Sequence, residues 1–404
     1  GSEMCIRDRY DSGGNRVAFN DDDPVSLDSY IVYTLTNQTP PGVYYVRIES
    51  YTGYGGPEYF YDFNVRCATS RGTPETTTPK QPEPDTWTVM LFLNAEDPSF
   101  EDILIRYIQD IEAQVKPHTK PWLNVVALYD GPKTPANPYL AKFGADPAGT
   151  TRLRIGDGAT YQVGGNIWPL GELNMGNPRV LAAFVDWAMQ QYPAENYYLA
   201  IDDHGDGIYG ASVDKTSNDM LTPEEVYAAL KNATLNGHPV RKIDIFDYEA
   251  CLMGLAENAY DLRRWVDYTF FSEQISWGIS TYPNYFETLS PGDTPLKVGR
   301  HLVETYSLQA RLANNGKGYP HTVSLVDTSK MLALRTELDG FVQALSNTVS
   351  ISGTGVISTI NEARGSSQAF ANSDDATNPD HADYIDLWDL ADNISARGLA
   401  LGRD

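Results

Sequence analysis

A chain of 404 residues, 41% hydrophobic and 11% aromatic, has material for two or three domains with real cores, which excludes a disordered protein. No apolar run approaches the length of a membrane span. A formal net charge of −24, from 30 basic and 54 acidic residues, argues against a nucleic-acid partner; the acidic field either attracts cationic ligands, calcium among them, or simply solvates the surface.

The opening "GSEMCIRDRY" reads as a tag scar joined to a contig end, and no signal peptide is visible. From there to residue 67 the chain reads as β. "SYIVYTL", "GVYYVRIESY" and "EYFYDFNVRC" are rich in Tyr, Val, Ile and Phe and are separated by Pro-Gly and Gly-Gly turns. "YDSGGNRVAFNDDD" followed by "GVYYVRIESYTG" resembles the second half of a bacterial pre-peptidase C-terminal domain, a small β-sandwich that accompanies secreted peptidases. Its opening strands are missing, so residues 1–67 are expected to form a partial sandwich. Three roles stay open for it: aiding secretion, anchoring to a polymer or cell-surface ligand, or covering an active site. Residues 68–86, "ATSRGTPETTTPKQPEPDT", offer nothing to bury and read as an extended linker.

From residue 87 to the end a second domain is expected. "WTVMLFLNAED", "LNVVALYD", "NYYLAIDDHG", "KIDIFDYEAC", "DYTFFSEQ" and "HTVSLVDTSK" are near-continuous apolar runs, the pattern of parallel strands covered on both faces. Helical periods fall between them. Leu104, Tyr107, Ile108, Ile111 and Val115 line one face of "FEDILIRYIQDIEAQV". Asn177 caps "NPRVLAAFVDWAMQQY", and Thr222 with Glu225 forms a capping box before "VYAALKNA". Alternating β and α units of this kind predict an α/β fold, a mostly parallel sheet with helices on both faces.

Ligands of open α/β sheets bind outside the carboxyl ends of the strands. Two strand ends carry chemistry here. "YYLAIDDHGDGIYG" runs into Asp202, Asp203, His204 and Asp206; "KIDIFDYEACLMG" runs into Asp247, Glu249 and Cys251. Strand alternation puts residues 247, 249 and 251 on one side. "LMGLAENAYDLRRWV" predicts a helix from near Leu252, whose N-terminus would lower the Cys251 thiol while the acids oppose that. His204 is the cationic partner such a thiolate needs, able to take its proton and later return it to a leaving amine. Gly205 and Gly207 would let a substrate backbone approach, and N–H groups at Gly205 and Cys251 would hold an oxyanion.

The competing reading is a packed cysteine and an unrelated surface histidine. Cys5 lies in the leader and Cys67 reads as structural. Three cysteines without a CxxC pair make neither a disulfide framework nor a zinc site; one disulfide would leave Cys251 the odd thiol.

At "WTVMLFLNAED", "DDHGDG", "DYEACLMG", "SEQISWG" and "DYIDLWDLAD" the chain resembles the clostripain-like cysteine peptidases of the caspase-fold clan, over residues 87–404. The resemblance implies a caspase-like fold and a secreted endopeptidase, with Cys251 as nucleophile and His204 as proton carrier. It implies protein or peptide substrates cut after arginine, or also lysine, by means of acids in the pocket that receives that residue. The usual pocket aspartate is here Glu249, one methylene longer, and Asp247 is a second candidate unless it only caps backbone amides. Self-cleavage between the two strand ends occurs among such peptidases, which makes Lys215 the candidate cut, against an ordinary surface loop. The chemistry needs no cofactor. Calcium dependence occurs in the family, but no EF-hand loop is present and no metal ligand is named.

Two rivals remain. Asp202, Asp203, His204 and Asp206 would ligate a cation in a metal-dependent hydrolase, although the chain holds only six histidines and no HExxH. A catalytically inactive binding protein on the same scaffold would leave Cys251 unreactive. Serine chemistry lacks its G-x-S-x-G elbow.

Overall fold

The computed structural model describes residues 83–235, 241–279, 282–352, 354–370 and 384–397, with the backbone of three N-terminal strands. The chain divides into two compact units between Arg71 and Gly72, inside the linker expected over 68–86.

In the first unit β1 (Met4–Tyr10) is the middle strand between β2 (Arg16–Phe19) and β3 (Tyr45–Ser50), all antiparallel. Met4–Tyr10, within the leader set aside in the sequence, pair with both neighbours. Of the other strands expected here, 29–35 and 58–67 lie outside the described residues, as do Cys67 and the side chain of Cys5.

The second unit is built on an eight-stranded sheet. Its strands are β4 (Glu83–Asn94), β5 (Leu123–Asp130), β6 (Thr150–Ile155), β7 (Ile167–Gly171), β8 (Ala194–Asp202), β11 (Ile243–Glu249), β12 (Val266–Ser272) and β13 (Val323–Asp327). The small hairpin β9 (Ala211–Asp214) and β10 (Asp219–Leu221) stands apart from it. The order across the sheet is β13-β12-β11-β8-β4-β5-β6-β7. β5, β4, β8, β11 and β12 run parallel; β13 pairs antiparallel with β12, β6 antiparallel with β5, and β7 antiparallel with β6.

Two expectations change. "HTVSLVDTSK" supplies an antiparallel edge strand, half-buried along its length, rather than a parallel one. β4 starts at Glu83, so the last residues assigned to the linker belong to the sheet. Thr86 is buried there and its Oγ1 accepts the Glu195 N–H at 3.0 Å.

Helices cover both faces. α1 (Pro98–Asp110) begins at Asp97, whose side chain accepts the Ser99 N–H before a proline in the first turn. It runs into a π-turn over Ile111–Val115, and all five expected face residues are buried. Val89, Leu91 and Leu93 of β4 join that core, whereas Phe92 turns to Phe184 of α2 (Pro178–Gln191), as strand alternation requires. Asn177 caps α2, and the Thr222–Glu225 box opens α3 (Pro223–Leu235) with three hydrogen bonds. No described helix is long and apolar enough to cross a membrane.

Candidate active site

Parallel pairing brings the two chemical strand ends to one edge. β8 and β11 are neighbours, and Asp202 stands in register with Glu249. His204 and Cys251 each follow two residues later, just beyond the ends of these neighbouring strands. Between them the backbones touch: a side chain on Gly205 would place its Cβ 2.4 Å from the Cys251 carbonyl oxygen and 2.9 Å from the Ala250 Cβ. The glycine lets the two loops meet. Gly207, at φ +60°, is pressed against the Tyr384 hydroxyl, which donates to the Asp206 carbonyl and accepts the Ile208 N–H. The late motif "DYIDLWDLAD" thus braces the histidine loop.

No helix begins at Leu252. That residue has φ +63°, its N–H bonds to the Gln274 carbonyl, and Gly254 donates to Ser272 at 2.8 Å. A Cβ on Gly254 would lie 2.6 Å from the Glu273 nitrogen, so the turn is pinned to the end of β12. The helix, α4 (Ala256–Leu262), starts only afterwards. Cys251 therefore sits on a tight, strained turn with no helix N-terminus to lower its thiol. It is a free cysteine whose Sγ faces the Ser276 carbonyl at 3.7 Å. Burial raises the thiol, and the Glu249 carboxylate adds to the rise.

His204 is exposed, with its ring edge-on to Phe100 at 4.7 Å between centroids. Its Nε2 lies 3.1 Å from Asp97 Oδ2, and Lys215 Nζ lies 2.6 Å from the same oxygen. Partial burial pushes Asp97 up, but hydrogen bonds from Lys215, Ser99 and His204 outweigh it and hold the carboxyl well below the usual range. Asp97 is the residue that the sequence reading missed. Its position before Pro98 announces a helix cap, and nothing local says that the same carboxylate also meets the histidine.

Beneath the cysteine lie three buried acids, Asp202, Asp247 and Glu249. Asp247 Oδ2 accepts the Tyr198 hydroxyl, so it caps no backbone amide; Glu249 Oε1 accepts from Ser276 Oγ at 3.1 Å. One oxygen of each remains without a partner. Burial pushes Glu249 up to about 7. It raises Asp202 and Asp247 well above the usual range, with the Glu249 charge adding.

Lys215 stands in the turn between β9 and β10 rather than on a long loop, and Ser217 N–H closes that turn on Asp214. The Asp-rich strand end does not converge on a metal: Asp203 accepts the Val213 N–H while His204 turns to Asp97. Among the described residues, the acids that do converge are elsewhere.

The clostripain family model matches residues 111–399. The chain belongs to the clostripain family. It is 26% identical over 227 residues to clostripain of Hathewaya histolytica, a match covering 51% of this chain but only 42% of that relative. Two solved structures share the fold. A secreted C11 cysteine protease from Bacteroides thetaiotaomicron, bound to an irreversible peptide inhibitor, is 16% identical with a TM-score of 0.52, covering 76% of this chain and 78% of its own. A second structure of a secreted protease from that organism, iotapain, is 14% identical with a TM-score of 0.53, covering 78% and 84%. The family is one of cysteine peptidases, and the mostly parallel, helix-covered sheet is the fold that the resemblance implied.

Proposed function

We propose that this clostripain-family chain is a cysteine endopeptidase that cuts after arginine or lysine, with Cys251 as nucleophile and His204 as proton carrier. The observation that carries the reading is the in-register pairing of β8 with β11, which delivers both residues to one sheet edge above a buried acidic floor. A carboxylate at Nε2 favours the tautomer that carries its proton there, leaving the Nδ1 lone pair to take the thiol proton. The thiolate then attacks the scissile carbonyl. N–H groups of Gly205 and Cys251 are the expected oxyanion donors, and the imidazolium returns its proton to the leaving amine before water releases the acyl group.

Glu249, with Asp247 as the second acid of the buried floor, would receive the cationic side chain that precedes the cut. Because Glu249 also raises the Cys251 thiol, a guanidinium or ammonium seated on it would favour the thiolate. The correct substrate thereby helps to activate its own nucleophile. Action outside the cell, like that of the secreted Bacteroides relatives, and self-cleavage after Lys215 complete the proposal.

The test is a peptide library varied before the scissile bond, given to the protein and to Cys251→Ala in parallel. Cleavage confined to Arg and Lys and lost in the variant is expected. Equal activity in both would remove Cys251 as nucleophile, and no cleavage in either, with residue 215 intact by mass, would favour a binding protein.

A further inference from the structure

The proposed chemistry divides a substrate into two halves, and the sheet order separates them. When the scissile C–N bond breaks, the acyl half stays on Cys251 and the departing amine takes the imidazolium proton of His204. Along the sheet edge the order is β12, β11, β8. Ser276, just beyond β12, donates to Glu249 at 3.1 Å, so the acid that receives the residue before the cut is engaged on that side of Cys251. The histidine loop hangs from β8 on the other side. The departing half therefore leaves along that loop.

What the loop presents there is apolar. Ile208 and Tyr209 are 55% and 58% exposed. Consecutive Cα atoms lie about 3.8 Å apart, so Ile208 is within about 11 Å of Gly205, which packs against the Cys251 carbonyl. The backbone that carries them is fixed. The His204 carbonyl accepts the Ser212 N–H at 3.1 Å, and the Asp206 N–H donates to the Gly210 carbonyl at 2.8 Å. The Tyr209 N–H bonds to the Asp206 carbonyl at 3.1 Å, and the Ile208 N–H to the Tyr384 hydroxyl at 3.1 Å. A lone exposed apolar side chain is ordinary. Two in succession, on a pinned loop beside the nucleophile, hold apolar surface at a fixed place where a ligand can cover it.

We infer that Ile208 and Tyr209 form the subsite for the residues that follow the cut, and that this subsite prefers apolar side chains. The inference rests on the peptidase reading and adds a second selectivity to it, an apolar residue after the bond as well as a cation before it. The preference should be modest, because side chains more than half exposed make a rim and not an enclosed pocket.

The test uses peptides identical up to an arginine and continuing with Phe-Leu or with Ser-Gly. For the full chain we expect kcat/KM roughly tenfold higher with Phe-Leu, the low end of what apolar contacts supply. In Ile208→Ser/Tyr209→Ser, where the altered side chains are exposed and leave the core alone, that ratio should fall toward one. A merely structural defect would slow both peptides alike and leave the ratio as it was. Equal rates on the two peptides, or a ratio that survives the double substitution, overturns the subsite. Binding of the same peptides to Cys251→Ala, followed by calorimetry, separates this outcome from failure of the peptidase reading. If neither peptide is cut, tighter binding of the Phe-Leu peptide that is lost in the double substitution keeps the subsite while the peptidase reading falls. Equal binding overturns both.

Discussion

Asp97 does two jobs with one side chain. It caps α1 through the Ser99 N–H and orients His204 through Oδ2. Asparagine caps helices about as well as aspartate, so Asp97→Asn separates the two. We expect kcat to fall on the order of tenfold to hundredfold, part of the ~10²–10⁴ that general acid–base catalysis supplies. KM and melting temperature should hardly change. A fall in Tm with unchanged kcat would mean that the carboxylate serves only the helix. At this scale the sequence was half legible. His204, Glu249 and Cys251 stand out because polar residues interrupt apolar strands. Asp97 does not, because its second contact is with a residue more than a hundred positions away, and no local pattern encodes it.

Strands and turns were legible where they are simple. The central parallel strands announce themselves as continuous apolar runs, and the caps at Asn177 and Thr222 by residue type. Strand β6 and the edge strand β7 were missed because "TTRLRI" and "IWPLG" mix buried and exposed positions and carry little apolar signal. The helix expected at Leu252 failed for a tertiary reason: hydrogen bonds from Leu252 and Gly254 to the segment at and just beyond the end of β12 outweigh helical periodicity. Pairing β8 with β11 also concentrates acid, which has a consequence for pH. Glu249 ordinarily titrates near 4.5 but is pushed up to about 7 by burial. Between those values the folded chain holds a proton that the unfolded chain releases. Its contribution to stability is therefore complete below about 4.5 and lost as pH rises through about 7. From about pH 5 to about pH 8 the loss should be on the order of a few kcal/mol. Urea unfolding at both values should show it, and Glu249→Gln should shrink the difference; an unchanged difference would assign the effect to other groups.

Across the whole molecule, the sheet order gathers what the chain disperses. β4 has β5 on one side and β8 on the other, so one edge collects His204 and Cys251 together with the convergent acids Glu96, Asp130 and Glu172. The apolar runs mark the central strands, but the strand order that makes these neighbours has no local signature. The same edge grips its own hairpin: Glu96 holds Thr216 and the adjacent Asp97 holds Lys215, two consecutive acids on two consecutive residues. A peptide bond tethered in that way would meet its own chain's Cys251 and His204 at a local concentration that does not depend on how many molecules are present. Processing after Lys215 should then be unimolecular. A hundredfold dilution should leave its half-time unchanged, and active protein added in trans should leave Cys251→Ala uncut; a half-time that lengthens with dilution would mean that one molecule cuts another.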